Sequence, residues 1–272
     1  MNVIDINKFK KVLPTSDHNL NRLKFLQEEA SDLRIAVFGK YNHGKSTLLN
    51  ALIGKNIFKT ADKRETIKNA EYIHNDVIWI DTPGLDADVH GKDDKEAMKG
   101  AFEIADILYL VHNVKAGELD KYEMKVFREL MKQDKNYRKK MFLILTQIDQ
   151  VKSEQLEEVK QQIKKQLPEL TMICISAQRY SQGVSESKPK FVELSAMDSL
   201  FTLVAGHLSK LNILRKQESR RLVSKIRIEL NESKEFLQKE LVTADFEREN
   251  QQNHLENDSV LFIQNIQTRK EG

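Results

Sequence analysis

The sequence predicts an α/β protein built on a mostly parallel central sheet with helices on both faces, continued by an α-helical C-terminal extension. Three observations carry this. The run Gly39-Lys40-Tyr41-Asn42-His43-Gly44-Lys45-Ser46 fits the pattern GxxxxGK[ST], and it sits between an apolar strand, residues 34–38, and an amphipathic helix start with Leu48, Leu49, Leu52 and Ile53. Continuous apolar runs at residues 77–80, 106–111, 141–145 and 172–175 alternate with charged helical segments near 95–104, 119–133 and 153–166, the alternation of a parallel sheet covered on both sides. Residues 212–270 contain neither Pro nor Gly, as in a long helix or helical hairpin.

Taken in order, residues 1–32 form an N-terminal helical segment, with Leu20, Leu23, Phe25 and Leu26 at helical spacing in a helix over 19–31. Residues 33–211 form the main domain. Within it, two apolar runs, 71–74 and 77–80, are joined by Asn75-Asp76 and predict a β-hairpin. Residues 181–189 read as a loop, and 191–211 as the helix that closes the core. In the helical extension, 212–272, Val223, Ile226, Leu230, Leu237 and Leu241 lie near one helical face, while Ser233 and Glu240 break a heptad repeat. The basic stretch 215–227 reads as a solvated helix face.

Composition narrows the function classes. The 272 residues are 31% charged and 40% hydrophobic with a formal net charge of +3, too balanced to create the field that draws a protein to DNA. The one cysteine, Cys174, lies in an apolar strand, so neither an internal disulfide nor a cysteine zinc site can form. Residues 1–11 lack an apolar signal core and no run is long and apolar enough to span a bilayer, which makes the cytoplasm the expected location.

The glycine-bounded loop is a phosphate cradle. Gly39 and Gly44 let backbone N–H groups converge on phosphate oxygens, and the following helix offers the positive end of its dipole. Lys45 then reaches the β- and γ-phosphates and Ser46 ligates Mg²⁺. Asp81-Thr82-Pro83-Gly84 closes the strand 77–80, setting a carboxylate at the strand end where ligands of such sheets bind; Asp81 holds Mg²⁺ through a water and the Gly84 N–H senses the γ-phosphate. Thr146-Gln147-Ile148-Asp149 ends the strand 141–145, and Ser176-Ala177 ends the next. Guanine presents two adjacent donors that one carboxylate accepts together, so Asp149 is the natural base reader, with Ser176 and the Ala177 N–H lining the base pocket.

In this order the motifs resemble those of the translation-factor class of P-loop GTPases over about residues 33–211, and within it the Era/HSR1-type and bacterial dynamin-related GTPases. The resemblance implies GTP and GDP as ligands, Mg²⁺ as cofactor, and Gly39, Asn42, His43, Gly44, Lys45, Ser46, Thr47, Asp81, Gly84, Thr146, Gln147, Asp149, Ser176 and Ala177 as nucleotide-binding residues. It further implies a threonine that ligates Mg²⁺ and closes over the γ-phosphate; Thr66, just before the strand pairing with 77–80, is the first candidate and Thr60 the second. Lys45, Thr66 and Gly84 are the expected catalytic residues, and Ser46, Thr66 and Asp81 the Mg²⁺ ligands.

Departures from the family pattern qualify this. Gln147 stands where the family carries a lysine whose stem packs over the base. Leu85 stands where small regulatory GTPases carry the glutamine that orients the attacking water, so hydrolysis must borrow a group from elsewhere in the chain or from a partner. Asn42 marks the GxxNxGKS form in which an asparagine holds K⁺ against the phosphates; alternatively it only hydrogen-bonds the loop backbone. His43, Lys40, Asp86 and His90 are close enough in sequence to position water.

The expected activity is in-line attack of water on the γ-phosphate of GTP, slow without a partner, on the order of 10⁻⁴ to 10⁻² s⁻¹. It serves as a switch controlling a protein partner or a GTP-dependent homodimer, with a loop over 85–95 that orders when triphosphate is bound. Two alternatives stand beside it: a GTP-binding scaffold with negligible hydrolysis, and a dynamin-like membrane-associated assembler. No Gly-x-x-Gly follows Ser176, so the RNA-binding KH module of Era relatives is expected to be absent; RNA, ribosome and membrane stay open as partners.

Overall fold

The computed structural model describes residues 12–13, 16–28, 32–58, 70–85, 101–133 and 139–268. Thr60, Thr66, Asp86 and His90, and the predicted loop beyond Leu85, lie outside the described residues. Two compact units emerge, one of Phe25–Glu218 and one of the residues up to Lys24 together with those from Ser219 on.

In the larger unit six strands form one sheet: β1 Leu33–Gly39, β2 Ala70–His74, β3 Val77–Asp81, β4 Ile107–Asn113, β5 Met141–Thr146 and β6 Thr171–Cys174. Their order is β2-β3-β1-β4-β5-β6, with β2 antiparallel to β3 and the other neighbours parallel. The β2–β3 turn places Asn75 and Asp76 at φ 50° and 59°, the left-handed pair that a two-residue hairpin with right-twisted strands requires. All five residues of β3 and all six of β5 are buried, the mark of strands covered on both faces.

Helices α1 Asp17–Gln27, α2 Lys45–Ile53, α3 Lys121–Gln133, α4 Ser153–Gln166, α5 Ala177–Ser185, α6 Pro189–Leu194 and α7 Met197–Thr268 accompany the strands, α1 preceding β1. Strand alternation sorts the core into two clusters. Ala36, Phe38, Leu108, Leu110, Leu143 and Leu145 join Phe127 of α3 and Ile163 of α4 on one side. Ile35, Val37, Tyr109, Val111 and Ile144 join Leu48 and Leu49 of α2 and Met197 and Leu200 of α7 on the other. Each fully buried Leu or Ile among them stabilises the fold by about 2 kcal/mol.

Two sequence expectations change. The stretch 181–189, read as a loop, is helical as far as Ser185, because Gly183 lets α5 pack against the next helix: a Cβ there would stand 2.8 Å from the Val192 backbone N. The closing helix over 191–211 is divided, α6 ending at Leu194 and α7 beginning at Met197, with Ala196 at φ 56° between them. From there α7 runs without a break for 72 residues.

In the smaller unit, Leu20 and Leu23 of α1 and Leu222 and Ile226 of α7 are buried, and the Ser16 hydroxyl donates to the Glu229 carboxylate. Farther along α7, Phe236, Leu237, Leu241 and Phe246 are exposed. No helix among the described residues is long and apolar enough to cross a membrane.

Candidate functional site

The loop from Lys40 to Gly44 leaves the C-terminal end of β1 and enters α2 through Gly44. Gly39 is demanded by the neighbouring strand, since a Cβ at this position would stand 2.3 Å from the Val111 carbonyl oxygen of β4. Gly84 is demanded by the loop, because its Cβ would lie 2.9 Å from the Tyr41 backbone N. The Leu85 N–H donates to the Gly39 carbonyl at 3.1 Å, so the segment after β3 is laced to the loop.

Lys45 is buried at the start of α2, its Nζ donating to the Lys40 carbonyl at 3.0 Å, which folds the ammonium across the loop. Ser46 Oγ donates to Asp81 Oδ2 at 2.8 Å. Asp81 is buried and its Oδ1 has no hydrogen-bond partner. Burial pushes the Asp81 carboxyl above its ordinary range, opposed by the Ser46 hydrogen bond and the Lys45 charge. A hydroxyl and a carboxylate in contact, with one carboxylate oxygen buried and unsatisfied, fit a hard, oxygen-seeking ion such as Mg²⁺. Thr82 turns away from this pair; its hydroxyl donates to the Val37 carbonyl at 2.7 Å.

The base-side motifs converge on the same loop. Thr146 Oγ1 is buried and reaches the His43 carbonyl at 2.7 Å and the His112 carbonyl at 3.2 Å, so this hydroxyl braces the loop against β4 and β5. Gln147 and Asn42, both in the left-handed region at φ 60° and 58°, meet through Gln147 Nε2 and the Asn42 carbonyl at 3.2 Å. Asp149 sits in the 3₁₀ turn Ile148–Gln150 that follows β5 and accepts from Gln150 Nε2 at 2.8 Å. Partial burial works to raise its carboxyl, yet hydrogen bonds from Ser176 and Gln150 and the charge of Arg179 hold it below the usual carboxylate range. Ser176 also caps α5, its Oγ accepting from the Arg179 N–H at 3.1 Å, and Ala177 opens that helix. The fourth and fifth motifs thus touch through Asp149 and Ser176.

The predicted residues Gly39, Asn42, His43, Gly44, Lys45, Ser46, Asp81, Gly84, Thr146 and Gln147 therefore gather around one loop, and Thr47 lies in the first turn of α2. Three groups beside the loop carry no sequence signal of a site. They are His112, next to the last residue of β4, Glu123 in the first turn of α3, and Asp120 just before that helix, which pairs with Lys40 of the loop. They lie some 70 to 80 residues beyond the loop in sequence, and only the parallel sheet brings them to it.

Proteins of known sequence and structure resemble this chain. The chain is 40% identical over 228 residues, 84% of its length and 54% of the relative's, to an uncharacterized protein of Acinetobacter baylyi. It is 31% identical over 161 residues to the GTPase Era of Fusobacterium nucleatum, covering 56% of this chain and 52% of Era. The chain thus spans about half the length of these curated relatives. Among solved structures, a bacterial dynamin from an oligomerised pair shares the fold with a TM-score of 0.57 at 17% identity, covering 96% of this chain and 50% of the dynamin. Residues 34–177, from the second residue of β1 to the first of α5, match the model of the 50S ribosome-binding GTPase family, and the chain belongs to that family.

Proposed function

We propose that this chain binds GTP with Mg²⁺ and hydrolyses it slowly, as a switch controlling the binding of a partner or of a second copy. One observation carries the reading: Ser46 of the phosphate loop and Asp81 at the end of β3 stand 2.8 Å apart with the second Asp81 oxygen buried and unbonded. Ser46 would ligate Mg²⁺ directly and Asp81 through water. The ion supplies charge that offsets what develops on the transferring phosphoryl group. Lys45, released from the Lys40 carbonyl, would take the β- and γ-phosphates. Asp149, kept ionised and held by Ser176, would accept both guanine donors, and the Ala177 N–H would serve guanine O6. Leu85 is buried at 1% exposure, so it orients no water, and the attacking water needs a group from outside these motifs.

Calorimetry with GTP, GDP and ATP in Mg²⁺ buffer tests the binding step. Preference for guanine nucleotides supports the reading, and equal affinity for ATP ends it. Single-turnover phosphate release in K⁺ against Na⁺ buffer separates a slow GTPase from a scaffold that scarcely hydrolyses, and a K⁺ stimulation lost in Asn42→Ser assigns the ion to Asn42.

A second reading, a self-associating dynamin-like assembler, is favoured by the exposed Phe236, Leu237, Leu241 and Phe246 of α7 and by the fold shared with a bacterial dynamin over nearly the whole chain. Size-exclusion chromatography with a non-hydrolysable GTP analogue reads the oligomer. Co-sedimentation with liposomes tests membrane association.

A further inference from the structure

Beside the phosphate loop, three metal-ligating side chains converge outside the Ser46–Asp81 pair. His43 lies in the loop, His112 near the end of β4 and Glu123 in the first turn of α3; all three are buried and their ligand atoms lie within 4.8 Å of one another. Glu123 Oε1 stands 2.9 Å from His112 Nδ1 and 3.2 Å from His43 Nδ1. His43 Nδ1 is buried and makes no hydrogen bond of proper geometry, so the short approach to Glu123 leaves it unsatisfied.

We propose that His43 Nδ1, His112 Nδ1 and Glu123 Oε1 form a binding site for a divalent transition metal of the zinc class, with a fourth position open to water. Zinc bound tetrahedrally at about 2.1 Å holds neighbouring donors about 3.4 Å apart. The two contacts to Glu123 already approximate edges of that tetrahedron, and a modest turn of the His43 ring closes the third. The outer contacts are those a metal site requires. His112 Nε2 lies 2.9 Å from the Gly117 carbonyl, which can only accept, so Nε2 carries the hydrogen and Nδ1 is directed inward. The far oxygen of the carboxylate, Glu123 Oε2, accepts from the Asp120 N–H at 3.3 Å, turning Oε1 toward the histidines.

Two imidazoles and one carboxylate favour zinc-class ions over Mg²⁺, which prefers an all-oxygen shell. Coordination releases the proton shared between His112 Nδ1 and Glu123, together with any proton on His43 Nδ1, to solvent. Because the His43 carbonyl is held by Thr146 at 2.7 Å, the bound ion would tie the phosphate loop to α3 as well as to β5. His43 belongs to the phosphate loop, but no donor of this site is a proposed Mg²⁺ ligand, and zinc binding measured without nucleotide is read separately from nucleotide binding.

The test is equilibrium dialysis of the untagged full chain, stripped with chelator, against zinc chloride in excess Mg²⁺ without nucleotide. The expected result is one zinc per chain, with affinity lowered about 100-fold in Glu123→Gln and in His112→Gln and unchanged in Asp81→Asn. Failure of the wild-type chain to retain stoichiometric zinc overturns the proposal, as does an affinity equal to wild type in both site variants. Cobalt substitution of the wild-type chain needs no variant to fold: intense visible bands of a four-coordinate nitrogen–oxygen site support the assignment. The weak bands of six-coordinate cobalt overturn it.

Discussion

Arg215 and Asp106 form a largely buried, two-pronged ion pair, the carboxylate 4% and the guanidinium side chain 12% exposed: Arg215 Nε donates to Asp106 Oδ1 at 3.0 Å and Nη2 to Oδ2 at 2.6 Å. The same guanidinium donates to the Asp32 carbonyl at 2.8 Å, and Asp106 Oδ2 also accepts the Arg34 N–H at 3.0 Å. A residue of α7 thereby locks the segment entering β4 to the start of β1, the strand that delivers the phosphate loop. The basic stretch 215–227 read as a solvated face in the sequence; at Arg215 it is instead an internal strut. Losing one partner of a pair this buried leaves an uncompensated charge, so Arg215→Ala should cost about 3 to 5 kcal/mol in denaturant unfolding. Asp106→Asn added to it should recover part of that loss. An Arg215→Ala loss below about 0.5 kcal/mol would place the pair among surface contacts.

Gly39 and Gly84 offer a graded test of how tightly the loop is clamped. At Gly39 the added methyl collides with the backbone of a central strand, 2.3 Å from the Val111 oxygen, and nothing there can yield. At Gly84 it meets the Tyr41 N at 2.9 Å, in a loop that can shift. Gly39→Ala should therefore prevent stable folding. Gly84→Ala should cost about 1 to 3 kcal/mol and weaken guanine-nucleotide binding by displacing the loop. Thermal melts beside nucleotide titrations read both, and a Gly84→Ala protein with wild-type affinity would show that the loop does not lean on this segment.

The contact between Asp149 and Ser176 makes the base-reading proposal quantitative. A hydrogen bond to a charged group is worth about 1.5 to 3 kcal/mol, so Asp149→Asn should weaken GTP at least tenfold and shift preference toward xanthosine triphosphate, whose base offers the complementary carbonyl. Ser176→Ala removes a donor that keeps the carboxylate ionised and aimed, and should give a smaller loss with guanine preference retained. Competition binding with the two nucleotides measures it. Unchanged GTP affinity in Asp149→Asn would remove this residue from the base pocket.

What the sequence made legible is what local patterns encode. Buried parallel strands are continuous apolar runs, the hairpin is announced by Asn75-Asp76, and α4 occupies the charged segment 153–166. The site was legible where a motif must be contiguous, as in the phosphate loop and the strand-end carboxylate. Breaks set by tertiary packing were hidden. Gly183 reads as a loop residue, yet it serves helix-to-helix approach, and the left-handed Ala196 has no side chain that signals a turn. Hidden too were buried polar pairings between strands and helices, His112 of β4 with Glu123 of α3 and Lys140 before β5 with Glu218 of α7, because each partner alone looks like an ordinary polar residue.

His207 gives the chain a predictable sensitivity to acid. Its ring packs on Phe142 at 5.0 Å between centroids, with Nε2 buried and without a hydrogen-bond partner. Burial, reinforced by the Lys210 charge, lowers its pKa from the ordinary 6.5 to about 4. Between those values the unfolded chain binds the proton that the folded chain refuses. Stability therefore rises with pH across the window: this contribution is complete above about 6.5 and lost as pH falls toward 4. Replacing the imidazole by an apolar ring, His207→Phe, removes the proton-binding group while keeping the contact with Phe142. Denaturant unfolding at pH 7.5, above this window, and at pH 5, inside it, should show the variant losing less stability than wild type on acidification. The same drop in both proteins would mean that His207 titrates alike in the folded and unfolded chains.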